Sequence, residues 1–482
     1  GWAFAAPYDG PWDEQMHAKR AAGIMEGEIL PGPDRVQTVP KSLDILSGNW
    51  FCFPMNVTVP ADCSPEPGGD ESTERIYVTE ARFNPVYYAA SGWPLGFWPN
   101  WRGIMLSRLM TSLMMAGLMA CAVVAAVRWV RHRALLAGLI VAATPTTVAL
   151  GGTLNPNGME IAAGVTLFAA LIAVVHEQRE GVNRAAVALA GVSAAILVTP
   201  RFTGVMWLLL ILGVLLVPSS KARLRYLIKQ RTVRIWSTVA VVATVASVAW
   251  TLIAQPTQVI DKHYGMSTQE IVRFEIFDLW PNIVNQMVGA MGWNETGMPR
   301  MIYVVWFMAA GLLTMGALIL GDRTDKWRIL ALGVGTFVPL LVAELFVVNK
   351  VGWLNQGRYF LPGAVGLTLL GAWILSRRGI SPVHMRTITR LFALLLIPIH
   401  LICLVYTMAR WQSGLVSVNP FNGSWTPPYG HIIPLAAGTL GVLVLVVVFW
   451  QASRIPAEPA PAPAGEPGEA ADAAPVNERV SA

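Results

Sequence analysis

Charge is scarce in this chain of 482 residues: Asp, Glu, Lys and Arg together make up 13%, about half the share of a soluble globular protein. A single water-soluble domain is thereby excluded. Cysteine is scarce too, and the four present show neither a disulfide framework nor metal-site spacing. Cys121 and Cys403 fall inside apolar runs and read as small hydrophobes. Cys52 and Cys63 fall in a polar region, where they pair if it faces an oxidising compartment. There is no Walker A loop, no glycine-rich dinucleotide turn after a strand, no His-Glu-x-x-His and no Gly-x-Ser-x-Gly. The net charge of +6 is spread between apolar runs, outside any nucleic-acid-binding module, so no nucleic-acid partner is expected. No signal peptide is visible, and the first residue is Gly, so a first membrane span upstream is expected.

What the chain has in quantity is apolar sequence: 54% hydrophobic residues, 19 Trp and 43 Gly, with a mean hydropathy of +0.51. Spans are expected at about 103–127, 134–153, 158–176, 185–200, 203–218, 236–254, 300–320, 329–348, 360–376, 391–409 and 432–451. Most reach the roughly 17–25 residues that cross a bilayer, and only helices satisfy their backbone there. The pair 185–200 and 203–218, short and flanking Pro200-Arg201, reads as one broken hairpin. The fold class is an all-α integral membrane protein, a multipass helical bundle with a large first loop over residues 1–102. Five connections (128–133, 177–184, 219–235, 322–328 and 377–390) carry about 18 Lys and Arg in about 52 residues. The alternate segments 1–102, 255–299, 349–359 and 410–431 carry about 12 in about 180. By the positive-inside rule the first set is cytoplasmic and the second outside. The Ala-, Pro- and Glu-rich stretch 452–482 reads as a disordered cytoplasmic tail.

Four stretches, all on the expected outer side, carry candidate chemistry. In Trp12-Asp13-Glu14-Gln15-Met16-His17, two carboxylates precede a His that shares a helical face with Glu14. A carboxylate there suits a general base, and the Asp13/Glu14/His17 set also suits a divalent ion. The plainer reading makes Asp13 an N-cap and Glu14 a partner of the helix dipole. Asn155-Pro156-Asn157-Gly158-Met159-Glu160 puts an ionisable group at the start of a membrane helix, a functional position by default; otherwise it is a tight turn. Gln356-Gly357-Arg358-Tyr359 offers a bidentate cation against the positive-inside trend, as does Arg201. Gly292-Trp293-Asn294-Glu295 ends the 255–299 loop, and its Trp either stacks on a sugar or anchors at headgroups.

In that order, Asp13-Glu14 with His17, Asn155-Pro156-Asn157-Gly158 with Glu160, Gly292-Trp293 with Thr296 and Pro299, and Gln356-Gly357-Arg358-Tyr359 with Pro362 resemble the bacterial membrane family called domain of unknown function 2142. The resemblance runs over about residues 7–450. That family is grouped with the GT-C glycosyltransferases, multipass enzymes that use a polyprenyl-phosphate sugar and an acidic residue of the first outer loop as base or metal ligand. The resemblance implies Asp13 as base with Glu14 as helper. It places His17, Arg201 and Arg358 on the donor phosphate and Glu160 on a sugar hydroxyl. Asn155, Asn157, Trp293, Gln356 and Tyr359 join them as substrate-binding residues. It implies a bacterial plasma membrane, a polyprenyl-phosphate sugar donor and a cell-wall or surface glycan acceptor, with no cofactor beyond a divalent metal. Two other readings stand beside the transferase: a transporter or flippase of lipid-linked saccharides, which calls for polar residues mid-span, and a non-catalytic partner of a glycan synthase.

Overall fold

Proline and small polar caps decide where the helices start. In a computed structural model, which describes residues 1–45, 52–133, 135–177, 181–256 and 265–454, Asn155 accepts from the Asn157 amide at 3.0 Å and Pro156 opens α7 (Pro156–Ile172). Asn100 caps α4 (Trp101–Arg128) and Asn183 caps α8 (Arg184–Val198). Ser381, followed by Pro382, caps α17 (Pro382–Ser413). The remaining long helices are α9 (Thr203–Leu216), α11 (Arg231–Ala254), α14 (Arg300–Leu320), α15 (Arg323–Val351), α16 (Gly357–Arg377) and α18 (Ile432–Ala452).

Among the described residues eight helices are long and apolar enough to cross a membrane: α4, α7 with its following turn to Glu177, α11, α14, α15, α16, α17 and α18. The expected pair at 185–200 and 203–218 is present as the shorter apolar helices α8 and α9. The expected span 134–153 is corrected. It is two pieces, α5 (Leu135–Ala142) and α6 (Pro145–Leu150). Pro145 has no amide to continue the ladder, and the Thr144 hydroxyl accepts from the Thr147 amide to start a new helix. The expected tail from 455 onward lies outside the described residues.

α7 and α16 form the centre of the bundle, with 94% and 83% of their apolar windows buried. α11 and α18, at 11%, lie at its edge with apolar surface exposed. Glycine brings the central pair together: a Cβ on Gly164 of α7 would meet the Pro362 carbonyl of α16 at 2.8 Å. That close approach sets Glu160, one turn above Gly164, beside the first turn of α16.

The two ends of the bundle differ. At one end are basic connections: Arg378 pairs with Asp325 at 2.7 Å and with Asp322, and Arg223 in the short amphipathic helix α10 (Lys221–Lys229) donates to the Val174 carbonyl. The other end is capped by the described residues 1–45 and 52–100. The cap holds one helical turn, α1 (Trp2–Ala5), the buried helix α2 (Glu14–Met25), a hairpin of β1 (Val36–Pro40) and β2 (Thr73–Tyr77) with Val36 opposite Tyr77, and α3 (Pro85–Gly92). It meets a second layer made from α12 (Thr268–Phe274), α13 (Trp280–Gly289) and the two-residue strands β3 (Ala290–Met291) and β4 (Thr296–Gly297).

Buried arginines fasten the cap. Arg108 of α4, fully buried, donates to the carbonyls of Ala3, Ala6 and Pro7 at 2.9–3.0 Å. Arg410 of α17 donates to Phe53, Asn56 and Val59 at 2.7–3.0 Å. The loop held by Arg410 is also closed by a Cys52–Cys63 disulfide, Cα to Cα 6.0 Å. The conditional pairing of these two cysteines is realised. A crosslink over 11 residues restrains the unfolded chain by about 3 kcal/mol. Cys52→Ser is expected to lower the melting temperature of the purified protein and expose the 52–63 loop to protease, with reductant doing the same to the wild type; unchanged melting in both cases would show that Arg410 alone holds the loop.

Candidate active site

Asp13 stands at the N-cap position of α2 with left-handed backbone angles (φ 53°, ψ 12°), and its side chain caps nothing. Asp tolerates this region better than most residues, but the strain and the unused cap both need a reason. The carboxylate turns instead to Arg358, with Oδ2 accepting from Nη2 at 2.5 Å, and remains 27% exposed. The capping reading of Asp13 is therefore corrected. Arg358, in the first turn of α16, is held by Gly357, whose amide donates to Gln286 of α13 at 2.8 Å and where a Cβ would strike the α13 backbone.

From Arg358 the cluster extends through one amide. Asn157 Oδ1 accepts from Arg358 Nε at 3.2 Å and from Arg201 Nη1 at 3.1 Å. Its Nδ2 donates to Glu160 Oε2 at 3.1 Å. Only this amide orientation serves all three partners. The other Glu160 oxygen accepts from Thr203 at 3.2 Å. Tyr359 lies between the cations: the Arg201 guanidinium sits 4.1 Å from its ring centroid, and its hydroxyl accepts from Arg358 at 3.3 Å. Two guanidinium groups thus share one acceptor, and Arg358 Nη1 is buried without a hydrogen-bond partner. Such a pair is poised for an anion.

Other residues expected at the site take different positions. Glu14 is fully buried, its oxygens accepting from Arg108 at 2.9 and 2.5 Å and from the Leu154 amide at 2.9 Å. His17 Nδ1 pairs with the Tyr88 hydroxyl at 2.8 Å, and burial, with Arg201 and Arg358 nearby, pushes its pKa well below the ordinary value. It is a neutral ring. Asn155 Nδ2 donates to the Trp12 carbonyl at 2.9 Å. Gln356 accepts from Asn294, which accepts from Trp12 in turn, and Trp293 donates to the Asp9 carbonyl at 3.1 Å. These last three knit the cap to the loops around the cluster.

Asp13, Glu14 and His17 do not form a ligand set. Each is engaged by a different partner, and among the described residues no group of three His, Cys, Asp or Glu side chains is gathered to hold a metal ion.

Two buried carboxyls have no sequence motif. Glu80, 8% exposed, leaves Oε2 unpartnered; burial first, then the Asp13 charge, raises its pKa to about 8. Asp9, 1% exposed with both oxygens unpartnered, is raised to about 8 by burial. Their ordinary values are 4.5 and 3.8, so between about pH 5 and 8 the folded chain keeps protons that the unfolded chain has lost. Both contributions are complete at low pH and fade as pH rises through about 8. Thermal stability is expected to decline over that window by up to about 1.4 kcal/mol per pH unit for each group. Melting scans of wild type, Asp9→Asn and Glu80→Gln check this: each variant flattens the slope, and a wild-type melting temperature that rises toward pH 8 contradicts it.

The family described as predicted membrane protein, domain of unknown function 2142, has a model that matches residues 1–367. The chain belongs to this family. The match of this domain of unknown function 2142 member takes in every cluster residue through Tyr359 and stops short of the expected 450, leaving α17 and α18 beyond it. Two solved structures of ArnT from Cupriavidus metallidurans are similar in overall course. The apo state is 13% identical with a TM-score of 0.44 and covers 94% of this chain and 72% of its own. The form bound to undecaprenyl phosphate is 14% identical with a TM-score of 0.44, at 94% and 73%. Comparison with curated proteins gives no match.

Proposed function

We propose that this chain is a membrane glycosyltransferase that moves a sugar from a polyprenyl-phosphate donor to an acceptor hydroxyl at the capped end of the bundle. The asymmetry of basic residues between the two ends supports an extracytoplasmic position for that end. The observation that carries the reading is the Asp13–Arg358–Asn157–Arg201 cluster: a part-exposed carboxylate with no structural duty, beside two cations sharing one acceptor. The family's grouping with GT-C enzymes supports it.

In the reaction the acceptor oxygen attacks the anomeric carbon, and Asp13 takes the hydroxyl proton. The bond from that carbon to the phosphate oxygen breaks. The departing phosphate gains charge as it leaves, and in this reading Arg358 and Arg201 supply the positive charge that stabilises it. Asn157 holds both guanidinium groups, and Glu160, expected on a sugar hydroxyl, instead fixes the Asn157 amide through Nδ2. Glu14, expected as a helper to Asp13, is a positioning residue, because both its oxygens are committed to Arg108 and Leu154.

The charged groups inside spans that would suit a transport path are taken. Arg108 is bound to Glu14 and three carbonyls, and Glu344 accepts from the Leu354 amide at 2.6 Å. The test is transfer of radiolabelled sugar from polyprenyl-phosphate donors in membranes holding wild type, Asp13→Asn, Glu14→Gln or Arg358→Ala at matched folded protein. Label reaches glycan with wild type and is lost with Asp13→Asn and Arg358→Ala. Equal transfer by all four would sink the assignment and move weight to a flippase or a non-catalytic partner.

A further inference from the structure

Six cations crowd α10 and the start of α11: Lys221, Arg223, Arg225, Lys229, Arg231 and Arg234. The sequence holds no acidic residue from 181 through 260 to offset them. Other cations at this end of the bundle have acids of their own. Arg378 is paired with Asp322 and Asp325, and Arg328 lies 3.5 Å from Asp325. In α10 only Arg223 turns inward. It donates to the carbonyls of Val174 and Gly181 at 2.7 and 3.2 Å, which holds the helix against the chain just after α7 and just before α8. The other five are exposed. Among the described residues none of the five is in an ion pair.

Helical periodicity sorts them into a surface. Lys221, Arg225 and Lys229 are spaced four apart and fall on one stripe about 12 Å long. Leu227, on the opposite side, is buried in the bundle. Apolar side chains border the stripe: Ile228 is 62% exposed and Tyr226 39%. Like charges four residues apart repel and weaken a helix. The stripe therefore gains from anions supplied outside the chain.

Position identifies their source. α10 joins α9 to the span α11, and the apolar side chains of Val217 just before it and Ile235 just after it are exposed. The helix thus lies where lipid headgroups meet acyl chains. Lys and Arg reach phosphates from that level on their long stems, while Ile228 and Tyr226 rest on the acyl boundary. A soluble anion would answer the charge and leave the apolar border in water.

We propose that the exposed face of α10, continued by Arg231 and Arg234, is a docking surface for the phosphates of anionic phospholipids in the adjoining leaflet. This surface uses no residue of the Asp13–Arg358 cluster, so the loss of either assignment leaves the other standing.

The test is native mass spectrometry of the full chain in nonionic detergent, with phosphatidylglycerol or phosphatidylcholine added in equal amount. Wild type is expected to retain phosphatidylglycerol in preference, and the preference is expected to shrink as ammonium acetate is raised. A triple variant, Lys221→Gln with Arg225→Gln and Lys229→Gln, is expected to bind phosphatidylglycerol roughly 10- to 100-fold more weakly, at about fivefold per cation. Its phosphatidylcholine binding stays as in wild type. Arg102→Gln with Arg273→Gln and Arg300→Gln removes the same charge from exposed positions at the capped end and is expected to bind like wild type. Water-soluble glycerol phosphate at equal concentration is expected to displace nothing. Equal retention of the two lipids by wild type, undiminished binding by a folded α10 variant, or equal loss in both triple variants overturns the proposal. Displacement by glycerol phosphate also overturns it, in favour of a soluble anion. Should the α10 variant not fold, the wild-type salt series decides: a preference that salt leaves unchanged overturns the proposal.

Discussion

Asp13→Asn is expected to lower sugar transfer by roughly 10²–10⁴-fold, the usual contribution of a positioned general base, while the protein folds and inserts as before. The structure separates the two effects because Asp13 does no capping work. Asn has the same shape, tolerates the left-handed backbone at this position, and keeps an oxygen for Arg358. What it lacks is the ability to take a proton. Arg358→Ala removes the cation that lies against Asp13 and is expected to cost roughly 10²–10³-fold, as for loss of one transition-state donor. Arg358→Lys should recover only part, since an ammonium cannot donate to Asn157, Asp13 and Tyr359 from one rigid fork. The measurement is initial rate per folded molecule at saturating donor. Full activity in Asp13→Asn would remove the base from this position.

The helices were legible because lipid leaves the chain few options: an apolar run of sufficient length must be helical, and basic residues between runs alternate with the ends. The failure at 134–153 is local. Apolarity alone cannot tell a continuous span from two buried pieces, and Thr144-Pro145 is the signal that decides it. At the site, the residues came from sequence but their partners did not. Asp13 and Glu14 are adjacent in the chain and go to arginines 250 residues apart, Arg358 and Arg108. The left-handed turn at Asp13 sends them different ways, and nothing in the pair Asp-Glu announces that turn. Arg108, seven residues into an apolar helix, is visible in the sequence as a charge inside an expected span, but its partner is not. Glu80 and Asp9 were missed because a buried carboxyl without a partner has no local pattern; only the packed cap makes them buried.

Glu14 carries the complementary expectation. It and Arg108 are both fully buried, and removing one partner of such a pair leaves an uncompensated charge at a cost of about 3–5 kcal/mol. Arg108→Met is the harsher change, because it also strands the carbonyls of Ala3, Ala6 and Pro7. Glu14→Ala leaves those three bonds in place but strands the guanidinium and the Leu154 amide. Glu14→Gln turns an amide NH₂ toward a guanidinium that already donates, so it too should destabilise. Yield and detergent melting are expected to fall in the order Arg108→Met, Glu14→Ala, Glu14→Gln. The molecules that do fold should transfer sugar at close to the wild-type rate, since Glu14 touches no substrate in the proposed reaction. Asp13→Asn should show the reverse, normal melting with lost transfer. A folded Glu14→Gln that melts like the wild type but transfers nothing would return Glu14 to the catalytic role its position beside Asp13 first implied.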